Sequence, residues 1–370
     1  MNDKVKILHL RQAVGGGGGA DTVLLDILRL VNANFFQCTA VYLVKQGKNV
    51  DPLALAFKKN GLMLTQLSGR AWLDPVQLLE LHRLIRLEKI RILHCHDSKT
   101  RLFGCLLKVF NPHLQLVATL HGWIPRRTRS RFYIALDKLL LRFFNVNIAV
   151  SAEIQQEAIN VKGSHVVLLR NGVDTSLWKK GSEATRESDV LKIGFVGRLS
   201  KEKGIYEFIR IAALVAGQIP GCIFWIAGEG PEKKNIQQLV HELDVEKKVL
   251  LLGLQNRIEL MRIYHQLDVL LLPSHYEGVP LTMLEAMSMG IPVVATRVGG
   301  MAEVLEGTDG GLLAEPGNLE KMAEHVLRLL RNRELAETLG RNARKLVQEQ
   351  YDLAARVRTL EKYYQQVAGK

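Results

Sequence analysis

Short apolar runs alternate with segments of helical periodicity along this chain, and the alternation breaks once at a polar stretch before starting again. The first set has strand-like runs at 5–10, 39–44, 90–95, 114–120 and 147–150, with helical patterns at 20–31 and 75–87. The polar stretch, 179–189, reads as an interdomain linker. Beyond it come runs at 191–196, 222–227, 249–252, 269–272 and 293–296, again separated by helical segments. Strands joined through helices pair in parallel, because the crossover needs a helix's length of chain. The pattern therefore predicts an α/β chain with two doubly wound Rossmann-like domains, one over residues 1–180 and the next from 181, each binding ligands at the carboxyl ends of its strands. At 370 residues the chain also exceeds what one hydrophobic core serves.

Composition narrows the partners. Hydrophobic residues make up 47% and charged residues 24%, an ordinary globular balance, and no apolar run approaches the roughly 18 residues that span a bilayer. The start of the chain has no signal-peptide core, and Cys38, Cys95, Cys105 and Cys222 follow no metal or redox spacing, so a reduced cytoplasmic setting is expected. Charge is unevenly spread: residues 1–180 hold 26 Lys/Arg against 12 Asp/Glu, and residues 181–370 hold 24 against 25. A basic first half calls for an anionic partner, either a lipid surface or a phosphorylated saccharide. No nucleic-acid fold or aromatic platform is visible, so nucleic acid is not expected.

The most informative segment is 271–286, where an apolar strand runs through Pro273-Ser274-His275-Tyr276-Glu277-Gly278-Val279-Pro280 into a helical pattern. Pro280 suits the first helical turn and Gly290 the C-terminal stop. Glu277 then precedes the helix and Glu285 lies within its first two turns. Between them the unpaired N–H groups of a helix start, near Gly278, Val279, Pro280, Leu281 and Thr282, form an anion site. Two carboxylates flanking such a site suit the hydroxyls on either side of a diphosphate, which outlines a nucleotide-sugar pocket.

This segment resembles the retaining glycosyltransferases of family 4, which carry a Glu-x7-Glu element on a GT-B fold. The resemblance extends through Asp268–Ser274, Glu285-Ala286-Met287, Gly290–Thr296, Gly299–Glu303, Gly197-Arg198-Leu199, Lys203-Gly204 and Gly228–Pro231. It implies two domains facing across a central cleft: an acceptor-binding domain at 1–180, a donor-binding domain at 181–351, and a last helix at 352–370 returning to the first domain. It also implies roles. Glu285 would hold the ribose, Glu277 the transferred sugar, and Gly197, Arg198 and Lys203 the diphosphate. His121, in Thr119-Leu120-His121-Gly122, resembles the family's active-site histidine. No Asp-x-Asp motif occurs, so Arg198 as a bidentate phosphate ligand and Lys203 as a point charge would stand in for a divalent metal, and no metal or other cofactor is expected.

Other candidates are less specific. Gly15–Gly19 follows the first strand, but the acid that a dinucleotide fingerprint wants some 20 residues on is replaced by Lys45 and Gln46. Gly16 and Gly17 are instead candidates for close backbone approach to the donor. His94-Cys95-His96 lacks the ligand cluster of a metal site, and His96, Asp97 and Ser98 are assigned to the acceptor side. Arg126, Arg127, Arg129 and Arg131 precede an apolar helical stripe. That stripe fits either a core face or peripheral attachment to the inner face of a membrane. The expected function is metal-independent, retaining transfer of a sugar from a nucleotide-diphosphate donor to a glycan or lipid-linked acceptor, as in cell-surface polysaccharide or lipopolysaccharide assembly. A GT-B nucleotide-sugar epimerase and a non-catalytic nucleotide-sugar-binding subunit are the alternatives.

Overall fold

A computed structural model of the chain describes residues 4–13, 18–48, 50–123, 128–180 and 189–369. The fold divides into two compact units, Met1–Asn171 with Leu353–Lys370, and Gly172–Asp352.

The first unit alternates strands and helices in the order β1 (Val5–Gln12), α1 (Gly19–Leu30), β2 (Phe36–Lys45), α2 (Asp51–Lys59), β3 (Leu64–Gly69), α3 (Pro75–Leu87), β4 (Ile92–Cys95), α4 (Ser98–Phe110), β5 (Gln115–Leu120), α5 (Thr128–Leu140), β6 (Val146–Ala149), α6 (Ala152–Ile159) and β7 (Val166–Leu168). All pairings are parallel, in the order β3-β2-β1-β4-β5-β6-β7. Alternate strand residues enter cores on opposite faces of the sheet, Leu8 and Leu10 on one and Ile7 on the other.

The second unit holds β8 (Leu191–Val196), α7 (Ile205–Ala216), β9 (Cys222–Ala227), α8 (Lys233–Glu242), β10 (Val249–Gly253), α9 (Arg257–Gln266), β11 (Val269–Leu272), α10 (Leu281–Ser288), β12 (Val293–Thr296), α11 (Gly299–Leu305), β13 (Gly311–Ala314), α12 (Leu319–Arg331) and α13 (Arg333–Gln350). Its sheet runs β10-β9-β8-β11-β12-β13, again all parallel. The last helix, α14 (Leu353–Val367), belongs to the first unit, where Leu353, Val357, Leu360 and Tyr364 pack with Val5, Ile92 and Val117.

Two details differ from the sequence reading. Each sheet is wider than the runs suggested, gaining β3 and β7 in the first unit and β13 in the second, all at sheet edges. An edge strand is covered by fewer neighbours, so its run is short and only partly buried, as in Val166–Leu168. The division also falls after Asn171 rather than near residue 180. Trp178 is buried in the second unit and its carbonyl accepts from Ser288 Oγ at 2.6 Å, while the Val173 amide donates to the Tyr351 carbonyl at 2.9 Å. Most of the expected linker, 181–188, lies outside the described residues.

Candidate functional site

Strand order reverses between β8 and β11 in the second unit and between β1 and β4 in the first. Crevices open at such switch points, outside the carboxyl ends of the strands. The loop after β8 carries Gly197, Arg198, a single 3-10 turn at Lys201–Lys203, and Gly204; the loop after β11 carries Ser274, Glu277 and Gly278. These two loops hold most of the residues assigned to the donor.

Close backbone contact locks them together. Gly204 sits at φ +67°, and a Cβ there would lie 1.8 Å from the Pro273 carbonyl oxygen, so no side chain fits. The His275 amide donates to the Glu202 carbonyl at 2.9 Å across the same seam. On the other side, a Cβ on Gly299 would lie 2.0 Å from the Glu277 carbonyl oxygen, and the Gly300 amide donates to that oxygen at 3.2 Å. The β9 loop joins through the Leu199 amide, which donates to the Glu229 carbonyl at 3.0 Å. Glu277 is thus held by its backbone from the α11 start while its side chain faces the β8 loop.

That side chain forms an ion pair with Lys203 Nζ, and Ser274 Oγ donates to the same oxygen at 3.2 Å. Arg198 is exposed on the same β8 loop, and a hydrogen bond from its own backbone, then one from Ser200 and the charges of Arg198 and Lys203, hold Glu202 below its ordinary carboxyl value. Helix α10 starts at Leu281 after Pro280, and Gly290 at φ +75° lies just beyond its end. Gly278 is exposed, with open space where a Cβ would stand, so the start of α10 is reachable from solvent. Glu285 is buried, and Tyr264 of α9 donates to its Oε2 at 3.1 Å. Burial first, then the Glu285 charge, raise the Tyr264 phenol well above its ordinary value, so it remains an O–H donor.

In the first unit the switch point is a buried histidine cluster. His9 Nδ1 lies 3.1 Å from His96 Nε2, and His94 bonds Tyr364 OH at 2.6 Å through Nδ1 and Thr119 Oγ1 at 2.8 Å through Nε2. Ligand atoms of the three histidines lie within 4.8 Å of one another, the one metal-compatible grouping found among the described residues. Both His94 nitrogens are already engaged, so the cluster reads as a hydrogen-bonded core. Burial lowers His9 to about 3 and, with the neighbouring histidines, depresses His94 and His96 well below the usual imidazole value. All three are neutral at ordinary pH.

Among the acceptor-side residues, His96 is consumed by this cluster and Asp97 caps α4, accepting from the Thr100 amide at 3.0 Å and the Gln12 amide at 2.7 Å. Ser98 is exposed, and so is His121 after β5. Despite its solvent contact, the protein crowded around His121, followed by the cations of Arg11 and Arg101, holds it below the usual imidazole value. Gly16, Gly17, Arg126 and Arg127 lie outside the described residues, and Arg129 and Arg131 are described only as backbone of α5. Gly18, next in the glycine run, donates its amide to Asp21 Oδ2 at 2.9 Å; Asp21 also pairs with Arg11 at 2.5 Å. Sequence reasoning missed Asp21, Tyr264, Ser274, His9 and Tyr364. The close backbone approaches fall at Gly204 and Gly299, which the sequence offered only as positions in the family motifs.

Comparison with known proteins identifies the family and the fold. Residues 179–346 match the family model for glycosyl transferases group 1, and residues 17–177 match that for glycosyltransferase family 4. Over 277 residues the chain is 34% identical to N-acetyl-alpha-D-glucosaminyl L-malate synthase of Bacillus anthracis, covering 71% of each chain. The chain belongs to the family 4 glycosyltransferases. This glycosyltransferase is also 26% identical to the glycogen synthase of Mycobacterium tuberculosis over 313 residues, 82% of its own length and 75% of the relative's. Its fold matches the crystal structure of Anabaena HepE in complex with UDP-glucose, with a TM-score of 0.84, 21% identity, and coverage of 98% and 99% of the two chains. Both units are therefore GT-B Rossmann-like domains, and no described helix is long and apolar enough to cross a membrane.

Proposed function

We propose that this glycosyltransferase moves a sugar from a nucleotide-diphosphate donor to a glycan or lipid-linked acceptor with retention of configuration and without a metal. The observation that carries the reading is the convergence of Lys203, Glu277, exposed Arg198 and the open start of α10 at one strand switch point. Arg198 and Lys203 meet the charge that develops on the leaving diphosphate, and the first N–H groups of α10 add donors aimed at the same oxygens. Glu285, oriented by Tyr264, accepts from the ribose hydroxyls; Glu277, released from Lys203 when phosphate arrives, accepts from hydroxyls of the transferred sugar. His121 contacts that sugar, a role that follows from family resemblance. As the anomeric carbon–oxygen bond breaks, the acceptor hydroxyl attacks the same face and its proton passes to the departing diphosphate oxygen. The excess of Lys/Arg in residues 1–180 suits a phosphate-bearing acceptor or an anionic membrane surface on the cytoplasmic side.

The test combines chelation with mutation. Activity measured with a UDP-sugar or another nucleotide sugar, chosen by thermal-shift screening, should persist in EDTA and disappear in Arg198→Ala, with the product anomer matching the donor. Activity lost in EDTA and restored by magnesium or manganese would overturn the metal-free reading.

A further inference from the structure

A second concavity lies wholly in the first unit, and none of the three clustered histidines lines it. Its volume is about 420 Å³, within the size range of small-molecule sites. Trp72, Leu102, Tyr133, Leu136 and Leu140 form its walls, and Ser98 and Asp137 are the small polar and charged residues among its lining. Trp72 and Tyr133 are 43% and 55% exposed, with ring centroids 5.9 Å apart and planes at 61°. Leu73 and Val76, close to Trp72 in the chain, are also about half exposed.

The polar lining decides what fits. Asp137 is buried, and its two oxygens accept from Arg101 Nε at 2.7 Å, Arg101 Nη2 at 2.5 Å, Ser98 Oγ at 2.8 Å and Trp123 Nε1 at 2.7 Å. Ser98 Oγ, besides donating to Asp137, accepts from Arg101 Nη2 at 3.2 Å. These groups are committed to one another. A saccharide placed here would bury hydroxyls against walls with little left to pair them, which is unfavourable; a hydrocarbon loses nothing by entering and removes exposed aromatic surface from water.

We infer that this cavity holds the hydrocarbon chain of a lipid-linked acceptor, a reading that rests on the glycosyltransferase function above and narrows its acceptor class. Two features choose a phosphate-linked lipid over a free apolar compound. Ser98 lines the cavity as the first residue of α4, directly after His96 and Asp97 at the strand switch point, so a chain seated here places its polar end beside the carboxyl ends of β1 and β4. The surplus of Lys/Arg over Asp/Glu in the first half of the sequence matches an anionic linkage.

Calorimetric titration of the full chain with farnesyl diphosphate, farnesol and inorganic pyrophosphate tests the assignment. Farnesyl diphosphate should bind more tightly than pyrophosphate, and Trp72→Ala should weaken farnesyl diphosphate and farnesol at least tenfold while leaving pyrophosphate unchanged. Tyr133→Ser, at a second exposed wall, should reproduce the loss, with thermal melts of both variants showing the fold retained. Three outcomes overturn the inference: equal binding of farnesyl diphosphate by parent and both variants; Trp72-dependent binding of maltotriose in place of farnesol, which makes the site a sugar platform; or Trp72-dependent binding to phosphatidylglycerol vesicles with farnesol unaffected, which makes it a bilayer contact. Hydrolysis of the nucleotide-sugar donor, measured alongside, separates the two levels. A parent that hydrolyses donor but ignores farnesyl groups refutes only the acceptor assignment, whereas one that binds them and turns over no donor refutes the transferase reading.

Discussion

Lys203 and Glu277 neutralise each other in the donor-free chain, and that pairing explains how two charged groups sit together before any phosphate arrives. Lys203 keeps 31% of its side-chain surface, so the pair is partly screened by water and can exchange partners. Glu277→Gln should therefore leave UDP binding unchanged or slightly tighter, because Lys203 is freed, while sugar transfer falls by roughly two orders of magnitude, the scale of a lost transition-state contact. Glu285→Ala should do the opposite and weaken UDP itself. Tyr264→Phe removes a hydrogen bond to a buried carboxylate and should weaken UDP by about 1.5–3 kcal/mol if that bond orients Glu285. Calorimetry with UDP and transfer assays on the three variants check the division of roles; equal losses in both assays for Glu277→Gln and Glu285→Ala would reject it.

Helices and loops set the precision of the site more than individual side chains do. Gly204 lies against the Pro273 carbonyl and Gly299 against that of Glu277, so the β8, β11 and β12 loops are packed backbone to backbone. Gly204→Ala adds a Cβ where 1.8 Å is available and places it on a backbone at φ +67°. The conformational strain alone is about 1–3 kcal/mol, and displacement of the β11 loop adds to it. Urea unfolding should show that loss, and UDP binding should fall with it. Gly221→Ala is the control, since its added Cβ meets nothing within 4 Å. A Gly204→Ala protein as stable and as tight for UDP as Gly221→Ala would contradict the packing account.

For the whole molecule, the first unit depends on neutral buried histidines that tie β1 and β4 to the closing helix through Tyr364. Folded His9 titrates at about 3 against 6.5 for an unperturbed imidazole, and His94 and His96 are shifted in the same direction. Because the folded values are depressed, the unfolded chain takes up protons first as pH falls past 6.5. For His9 the stability present above that pH is lost progressively towards 3, at about 1.4 kcal/mol per pH unit, and His94 and His96 act in the same direction. Urea midpoints at pH 7, 6 and 5 should fall steeply for the parent, and His9→Gln should remove about one proton from the slope; an unchanged slope would mean that His9 does not carry it. At the same scale, replacing Arg126, Arg127, Arg129 and Arg131 with Gln should reduce cosedimentation with anionic vesicles and its salt sensitivity, since each cation near such a surface is worth about 1 kcal/mol. Undiminished binding would turn the basic half towards a soluble anionic acceptor.

Sequence alone determined the α/β alternation, the central strands and the placement of Glu277 ahead of a helix that contains Glu285. Each of these is written in local patterns: apolar runs buried on both faces, and Pro280 and Gly290 bracketing the helix. Edge strands such as Leu64–Gly69 escaped because partial burial leaves a mixed pattern. Tertiary structure decided the rest. Tyr264 meets Glu285 only because α9 and α10 flank the same strand, and no local signal marks a tyrosine 21 residues away as its partner. His9, His94 and Tyr364 come together from three distant parts of the chain, since β1 pairs with β4 and the last helix packs beneath them. A one-dimensional pattern records which faces are apolar; which polar groups must satisfy one another inside depends on the pairing of elements far apart in the chain.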